Sequence, residues 1–325
     1  MLCYSHQGKV SRKALQSMNR GHVLLMLAAT YLLFASPVSR AVVSSDPAGA
    51  ILPHHAARSH RPLLAPLDEP GLRSSAALVL DATHASVLYS RRADVALPIA
   101  SITKLMTALV VLEAGQPLEE MIEITPDDRS SGKGAHSRLA MGATLSRGDL
   151  IHLALMAYEN RASHALGRTF PGGLPALVLA MNAKATALGM TSARFVDPSG
   201  LSSENVASPA DLSKLVVAAS NDPTIREYST DGRYAVQVGR RTLGFRNTNS
   251  LVSNPAWNIV VQKTGYIAEA GRCLVMQAVI EDRTVVIVLL NSFGKYTRVA
   301  DARRIRKWIE AKLFEHGPST LASKT

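Results

Sequence analysis

The sequence predicts an α/β (α+β) fold in which one antiparallel sheet is built from both ends of the chain. Paired apolar runs joined by a short polar turn occur near the start, AALVLDA and ASVLYSRR, and again near the end, CLVMQAVIE and TVVIVLLNS. Such pairs are typical of β-hairpins. The chain between them contains apolar patterns of helical periodicity. Strands at both ends with helices between them favour a sheet covered by helices, together with a largely helical subdomain.

The first 41 residues have the pattern of a secretory signal peptide. Residues 23–35 form the only long apolar run, which follows four basic residues and precedes a small-residue stretch containing Ser39 and Ala41. About thirteen apolar residues are too few to cross a bilayer unaided. We therefore expect residues 1–41 to be cleaved and the protein to be exported to the periplasm. An uncleaved anchor is the alternative.

Composition restricts the partners of the mature chain. The 325 residues are 47% hydrophobic and 19% charged, which is ordinary for a globular protein large enough to be an enzyme. Residues 1–41 carry five lysines and arginines and no acid, so without them the formal net charge falls from +11 to +6. Aromatic residues make up only 5% of the chain and no basic run is interleaved with them. We expect no nucleic-acid partner; an anionic polymer outside the cytoplasm fits the mild basic excess better.

The segments around the predicted domain have little pattern. Residues 42–70 are rich in Ala, Pro, Ser and His without periodicity and read as a flexible linker, and residues 315–325 read as a disordered tail. The linker histidines have no fixed scaffold around them, so no metal site is expected. Cys3 leaves with the signal peptide, so Cys273 has no partner for an internal disulfide and is expected in the core.

Residues 96–115, ALPIASITKLMTALVVLEAG, contain a chemically unusual helix start. The helical pattern is apolar nearly all round, which predicts burial. Ser101 and Lys104 lie three residues apart in its first turn, so the hydroxyl and the amine share one face. Burial would favour a neutral amine that can take the serine proton. The structural alternative is a serine N-cap with a lysine that reaches solvent.

Ser-x-x-Lys alone is a weak motif, and it occurs three times in this chain. The other two pairs, Ser130 with Lys133 and Ser292 with Lys295, lie in glycine-bearing loops that would not hold a lysine in a dry, rigid place. Only Ser101 opens a buried helix, where a backbone N–H can also stabilise an oxyanion.

A second pattern, WNIVVQKTGYIAEAGRC, places Lys263, Thr264 and Gly265 after a β-rich run. A strand there can pair with an extended peptide, while the lysine and threonine bind a carboxylate. Gly265 would let the ligand backbone approach closely. The alternative for a lone Lys-Thr-Gly is the end of an edge strand.

Taken with ASITKLMTALVVLEAG, SRLAMGATLSRGDLIHLALMA, ENRASHALGR, FVDPSGL and NTNSLV, these motifs resemble the serine DD-peptidases that are also penicillin-binding proteins, in particular their penicillin-binding protein 7 type endopeptidases. The resemblance covers roughly residues 75–310. It implies a β-lactamase/transpeptidase-like domain over residues 71–314 that cleaves peptidoglycan stem peptides, with β-lactams as covalent inhibitors and other cell-wall enzymes as partners. No metal or organic cofactor is implied.

One position departs from the family pattern. The family's middle motif is Ser-x-Asn, whereas this chain reads Tyr158-Glu159-Asn160 at the corresponding spacing. A literal Ser-x-Asn occurs only later, at residues 203–205, after the turn-rich DPSGL. Because Tyr158 ends an apolar helix and precedes NRASHALGR, as the motif requires, we assign the motif to Tyr158 and Asn160.

The resemblance then implies a role for each residue in acyl transfer. Lys104 removes the Ser101 proton, and the oxyanion rests on backbone N–H groups of Ser101 and Tyr266. Asn160 and the outer strand hold the acyl peptide, while Lys263 and Thr264 hold the carboxylate next to the scissile bond. Tyr158, expected between the two lysines, donates the proton to the leaving amine.

Two other functions remain open from sequence. A serine β-lactamase would need a carboxylate to activate water for deacylation, and between Asn160 and Lys263 the two glutamates, Glu204 and Glu227, are the candidates. Neither has a persuasive helical context. The other alternative is a cell-wall-binding protein whose catalytic site is impaired by Tyr158.

Overall fold

The computed structural model describes residues 69–129 and 136–316. The predicted signal peptide, nearly all of the predicted linker and the pair Ser130 and Lys133 lie outside these residues. The strands are β1 (Ser74–Asp81), β2 (Ser86–Arg91), β3 (Leu97–Pro98), β4 (Met121–Glu123), β5 (Thr144–Ser146), β6 (Val206–Ala207), β7 (Arg233–Val238), β8 (Arg241–Arg246), β9 (Asn258–Ile267), β10 (Gly271–Ile280) and β11 (Arg283–Ser292). The helices are α1 (Thr103–Glu113), α2 (Arg147–Met156), α3 (Asn160–Arg168), α4 (Gly173–Ala187), α5 (Pro209–Ser220), α6 (Pro223–Thr230) and α7 (Thr297–His316).

The main sheet has five strands in the order β2-β1-β11-β10-β9, with every neighbouring pair antiparallel. The N-terminal hairpin β1–β2 joins the C-terminal hairpin β10–β11 through the pairing of β1 with β11, for example Leu78 opposite Val288. The predicted sheet built from both ends of the chain is therefore confirmed. The remaining strands form three separate two-stranded ribbons, which the sequence analysis did not predict.

Alternation along the strands gives the sheet two apolar faces. Ala76 and Leu78 of β1 pack with the helical part of the molecule, including α5, whereas Ala77 and Val79 pack with α7. Successive side chains of a strand point to opposite faces, so one strand contributes to both cores. Helix α7 ends at His316, two residues inside the segment predicted as a disordered tail.

The helix that carries the serine–lysine pair lies in the larger core. Nine residues of α1, including Lys104, are buried. The helix does not begin at Ser101, as expected, but after a 3₁₀ turn over Ala100–Ile102. Strand β9, with Lys263 and Gly265, runs beside this turn and brings the two predicted motifs together. In the described part of the chain, no helix is long and apolar enough to cross a membrane.

Candidate active site

Ser101 and Lys104 form a buried hydrogen-bonded pair. Nζ of Lys104 lies 3.1 Å from Oγ of Ser101, and the lysine has no exposed surface. The serine does not cap a helix, since neither the 3₁₀ turn nor α1 has a side-chain cap hydrogen bond. The lysine does not reach solvent. The alternative of a serine N-cap with a lysine that reaches solvent is therefore wrong for this pair.

The surroundings of Lys104 suit a neutral amine. Its Nζ donates to Oδ1 of Asn160 at 2.7 Å and to the carbonyl oxygen of Ser199 at 2.5 Å. A neutral amine has two N–H bonds and one lone pair; with both N–H bonds used, the lone pair is left for the hydroxyl proton of Ser101. Burial lowers the pKa of Lys104 from 10.5 to about 7, although the charges of Asp197 and Glu159 act in the opposite direction.

Asn160 is the first residue of α3, and the start of this helix places its side chain beside Lys104. The preceding Glu159 is buried, and its carboxylate accepts hydrogen bonds from the side chain of Ser137 and, at 2.9 Å, the backbone N–H of Arg138. The literal Ser-x-Asn at residues 203–205 does not contact Lys104 in this way. Ser203 is exposed, and the side-chain amide of Asn205 donates a hydrogen bond to the carboxylate of Asp197. The geometry supports the assignment of the middle motif to residues 158–160.

Two glycines leave room for the 3₁₀ turn Ala100–Ile102, which carries the predicted nucleophile Ser101 and is called the nucleophile turn below. A Cβ on Gly200 would lie 1.9 Å from the carbonyl oxygen of Ala100, and one on Gly265 would lie 2.8 Å from that of Ile99 and 3.1 Å from the backbone nitrogen of Ser101. Gly265 was expected to make room for a ligand; the group that it admits is the protein's own turn. Ala100 has a φ of +47°, which an L-residue adopts only when its surroundings impose it.

Asp197, in the FVDPSGL segment, builds the loop that supports Lys104. Its two carboxylate oxygens accept five hydrogen bonds from the loop, donated by the backbone N–H groups of Ser199, Gly200 and Ser202 and by the side chains of Ser199 and Asn205. These bonds hold the pKa of Asp197 below its usual range despite burial. The loop thereby presents the Ser199 carbonyl to Lys104. Asp197 was not among the site residues predicted from sequence, although its motif, FVDPSGL, contributed to the resemblance.

Lys263 and Thr264 lie in β9 and are almost completely buried. The Thr264 hydroxyl shares a 2.7 Å hydrogen bond with that of Thr248, whose backbone N–H donates to the last residue of α2. Burial and the neighbouring charges of Lys104 and Arg298 lower the pKa of Lys263. Tyr266 is 53% exposed, and its ring stacks against the guanidinium of Arg272.

Arg298, on α7, is a site residue that the sequence analysis missed. It is 6% exposed, and Nη1 donates to the carbonyl oxygen of Gly265 at 3.0 Å. Nε has no hydrogen-bond partner, and within residues 69–129 and 136–316 no carboxylate forms an ion pair with Arg298 or Lys263. Arg298 lies 33 residues beyond Gly265 with no local motif. Only the packing of α7 on the sheet reveals it.

Tyr158 does not occupy the expected position between the two lysines. Its ring lies against Nζ of Lys263, 4.5 Å from the ring centroid, and its hydroxyl accepts a hydrogen bond of 3.3 Å from Nη2 of Arg298. Its φ of +58° and the length of a phenol take the hydroxyl past Lys263. Among the described residues, this hydroxyl has no hydrogen bond to Ser101 or to either lysine, so its position does not support the proton-donor role predicted from sequence.

The remaining candidates lie apart from this chemistry. Ser292 is buried against Ser74, and Lys295 is exposed, so the third Ser-x-x-Lys forms no comparable pair. Cys273 is buried in β10, and burial raises its pKa to about 11, as suits a core thiol. In the described ranges, no group of three or more His, Cys, Asp or Glu residues could hold a metal ion.

Neither Glu204 nor Glu227, the two candidates for activating water in a β-lactamase, lies in the buried site. The side chain of Glu204 is 63% exposed and pairs with Arg194, and Glu227 is exposed. The nearer acids, Glu159 and Asp197, are committed to the hydrogen bonds described above. None of these four acids is therefore placed as the deacylating carboxylate of a β-lactamase.

The similarity of the chain to known proteins agrees with this site. Residues 65–294 match the peptidase S11 family, described as D-alanyl-D-alanine carboxypeptidase. The chain is 45% identical over 287 residues to the D-alanyl-D-alanine endopeptidase of Pseudomonas aeruginosa, covering 88% of each chain. It is also 45% identical to the Escherichia coli protein of that name, covering 74% of this chain and 79% of the relative.

Two solved structures have the same fold. The Streptomyces K15 DD-transpeptidase superposes with a TM-score of 0.69 at 26% identity, covering 75% of this chain and 99% of that one. Penicillin-binding protein D2 of Listeria monocytogenes, in its cefotaxime-bound form, gives 0.65 at 28% identity, covering 73% and 97%. Because the family match spans residues 65–294 and both endopeptidases are 45% identical over most of this chain, the chain belongs to the peptidase S11 family of D-alanyl-D-alanine peptidases.

Proposed function

We propose that this serine DD-peptidase hydrolyses D-alanyl bonds of peptidoglycan stem peptides, with the cross-link between two stems as its preferred substrate. The endopeptidase preference is supported by the two relatives at 45% identity, both named D-alanyl-D-alanine endopeptidases. The observation that carries the chemistry is the dry contact of 3.1 Å between Lys104 and Ser101. The pattern of residues 1–41 favours export to the periplasm, where this polymer lies.

The first half of the reaction forms an ester on Ser101. Neutral Lys104 takes the hydroxyl proton, Oγ attacks the carbonyl carbon of the D-alanyl bond, and the carbonyl oxygen becomes an oxyanion. The backbone N–H groups of Ser101 and Tyr266 are the proposed oxyanion donors, which the close packing of Gly265 on the nucleophile turn supports. When the C–N bond breaks, the proton on Lys104 goes to the leaving amine. This route uses no proton from Tyr158.

The second half hydrolyses the ester. Lys104 is neutral again after protonating the amine and can take a proton from the incoming water, whose oxygen attacks the same carbonyl carbon. Collapse of this intermediate breaks the bond to Oγ, and the proton returns to Ser101. Asn160 holds the base through the Oδ1 contact, and its amide N–H₂ group is free to bind the acyl peptide.

Lys263 and Arg298 supply the positive charge that we expect to bind the carboxylate of the substrate. Lys263 and Arg298 are buried without an acidic partner in the described chain, and unpaired buried cations are costly unless a ligand neutralises them. The carboxylate next to the scissile bond supplies that charge. Because a guanidinium stays protonated, Arg298 provides the permanent positive charge, while the pKa of Lys263 rises when the carboxylate binds.

The same nucleophile should react covalently with β-lactams, whose strained amide and carboxylate mimic the D-alanyl bond and its neighbouring charge. The cefotaxime-bound form of the Listeria relative supports this for the fold. A fast β-lactamase is disfavoured because Glu159 and Asp197, the acids whose charges act on Lys104, are engaged in other hydrogen bonds. A purely wall-binding role is disfavoured by the retained serine, base and carboxylate-binding groups.

The test is turnover of a purified cross-linked muropeptide dimer, with products separated by chromatography. An endopeptidase releases two monomers, whereas a carboxypeptidase releases only free D-alanine from uncross-linked pentapeptides. Ser101→Ala should abolish either activity. Release of terminal D-alanine with an intact dimer would contradict the cross-link preference, and a folded chain that does neither would contradict the peptidase proposal. Hydrolysis of a chromogenic cephalosporin at comparable turnover would instead support the β-lactamase.

A further inference from the structure

The most distinctive contact of the site is that of Tyr158 with both carboxylate-binding cations. Its ring lies over Nζ of Lys263, and its hydroxyl accepts from Nη2 of Arg298. From this geometry we infer that Tyr158 is a specificity-determining gate: its side chain occupies the carboxylate subsite until a substrate carboxylate displaces it. The inference rests on the proposed function, because it concerns the substrate of the same site.

The two cations require a partner that the described chain does not supply in charged form. Arg298 uses Nη1 on the Gly265 carbonyl, leaves Nε without a partner and gives Nη2 only a neutral phenol oxygen at 3.3 Å. Lys263, with no exposed surface, donates to the carbonyl oxygen of Thr264 at 3.2 Å and otherwise faces the aromatic ring of Tyr158. Tyr158 thus provides one weak, neutral contact to each cation. A carboxylate would replace both contacts with hydrogen-bonded ion pairs, in which the acceptor as well as the donor is charged and the two N–H···O bonds to arginine can be bidentate.

The position of Tyr158 allows such a displacement. It lies in the short junction between α2, which ends at Met156, and α3, which begins at Asn160. Its side chain is only half-buried, and its left-handed φ of +58° is unfavourable for an aromatic residue. The neighbours of Tyr158 in sequence are fixed, because Glu159 and Asn160 are buried and hydrogen-bonded. The side chain of Tyr158 can therefore turn while the base and its partner stay in place.

This arrangement has a consequence for specificity. A ligand with a carboxylate next to the reacting carbonyl must displace Tyr158, and a ligand without one gains nothing from doing so. A serine, the family's residue here, is too short to reach across Lys263 to Arg298. Tyr158→Ser should therefore strengthen carboxylate binding rather than weaken it. The proton-donor hypothesis makes the opposite prediction, because it requires the phenol for chemistry.

The test separates binding from chemistry by using the full chain with Ser101→Ala. Calorimetry would measure the affinity of a diacetyl-L-lysyl-D-alanyl-D-alanine peptide and of its C-terminal amide, which lacks only the charge. The second substitution would be Tyr158→Ser, with Tyr158→Asn as a further variant because asparagine tolerates left-handed backbone. Tyr296→Ser, at a tyrosine that is 71% exposed, is the matched control.

If Tyr158 is the gate, Tyr158→Ser or Tyr158→Asn should increase the affinity for the peptide acid at least tenfold and change the affinity for the peptide amide by less than twofold. Tyr296→Ser should change neither affinity. Unchanged or weaker binding of the acid in a folded variant overturns the gate. Equal tightening of acid and amide also overturns it, because that result indicates a simple steric obstruction.

A parallel measurement in the chain that retains Ser101 separates this inference from the proposed function. If no penicillin reacts with Ser101 but the carboxylate effect is present, the peptidase proposal fails and the gate stands. If Ser101 reacts and the carboxylate effect is absent, the gate fails and the peptidase proposal stands. In this chain Tyr158→Phe would lower the acylation rate constant by roughly 10² if the phenol were the proton donor. The gate instead gives an unchanged or higher rate, so such a fall would contradict it.

Discussion

Asp197 binds the backbone N–H and the hydroxyl of Ser199, and the carbonyl of the same Ser199 binds the amine of Lys104. A carboxylate that does not touch the base thus determines where the base lies. It also acts on the base through its charge, which raises the pKa of Lys104 against the larger effect of burial. These two effects can be separated by substitution.

Asp197→Asn should reduce stability and shift the activity profile. The amide loses acceptors for several loop hydrogen bonds, and bonds to a charged group contribute about 1.5–3 kcal/mol each, so we expect a loss of at least 2 kcal/mol in the free energy of unfolding. Removing the negative charge should lower the pKa of Lys104 further, so the rise of acylation with pH should move to lower pH. Urea denaturation and acylation rates measured across pH check both. A profile shifted to higher pH would contradict the charge argument.

Acylation of the unaltered enzyme should depend on the protonation of Lys104. Since the amine is the base only when neutral, the rate should rise with pH through an apparent pKa of about 7 and level off above it. Lys104→Arg should abolish acylation, because a guanidinium remains protonated at every accessible pH. Stopped-flow acylation by a fluorescent penicillin between pH 5 and 9 measures this. A rate independent of pH across that range would show that Lys104 is not the base.

Asn160→Asp should impair the base by charge alone. The substitution places a carboxylate at the atom 2.7 Å from Nζ of Lys104, and an opposite charge at that distance raises a lysine pKa, by about 1–3 units. We expect the pH profile of acylation to shift upward accordingly, with a corresponding loss of rate at pH 7. Ser203→Ala, in the exposed literal Ser-x-Asn, is the control and should behave as the unaltered protein. Loss of acylation in Ser203→Ala would indicate that the middle motif is residues 203–205 and not residues 158–160.

Gly265→Ala tests the packing of β9 on the nucleophile turn. The added methyl group would lie 2.8 Å from the carbonyl oxygen of Ile99, so the turn carrying Ser101 must move. Misplacement of a reacting group by about 1 Å can cost roughly 10² in rate, and we expect a loss of this order in acylation. Gly244→Ala is the matched control in β8, where a Cβ would have no atom within 4 Å. Equal rates for the two variants would mean that this contact does not position Ser101.

The sequence was informative where chemistry and periodicity are local. Paired apolar runs predicted both hairpins of the main sheet, and the buried helix start distinguished Ser101 and Lys104 from two similar pairs. Contacts between distant segments could not be predicted in this way. Arg298 enters the site only because α7 packs on β10 and β11, and Asp197 acts through a loop whose hydrogen bonds are not encoded by spacing. The short ribbons, such as β3 with β6, contain too few residues to show a period of two.

The orientation of Tyr158 shows most clearly the difference between what local sequence predicts and what contacts between distant segments determine. Its identity and place in the middle motif were visible in the sequence, but its left-handed backbone was not. An ordinary conformation would direct the phenol elsewhere, and the expectation of a hydroxyl between two lysines followed from a resemblance to relatives rather than from this junction. The partner of the hydroxyl, Arg298, was itself not anticipated.

The position of the acyl group on the protein tests the assignment of Ser101 as the nucleophile most directly. The purified protein would be incubated with a penicillin, digested, and the modified peptide identified by mass spectrometry. We expect one adduct on Ser101, absent in Ser101→Ala and unaffected by Ser292→Ala, whose serine is buried against Ser74. An adduct that persists in Ser101→Ala, or that is found on another serine of the unaltered chain, would contradict the assignment of Ser101 as the nucleophile.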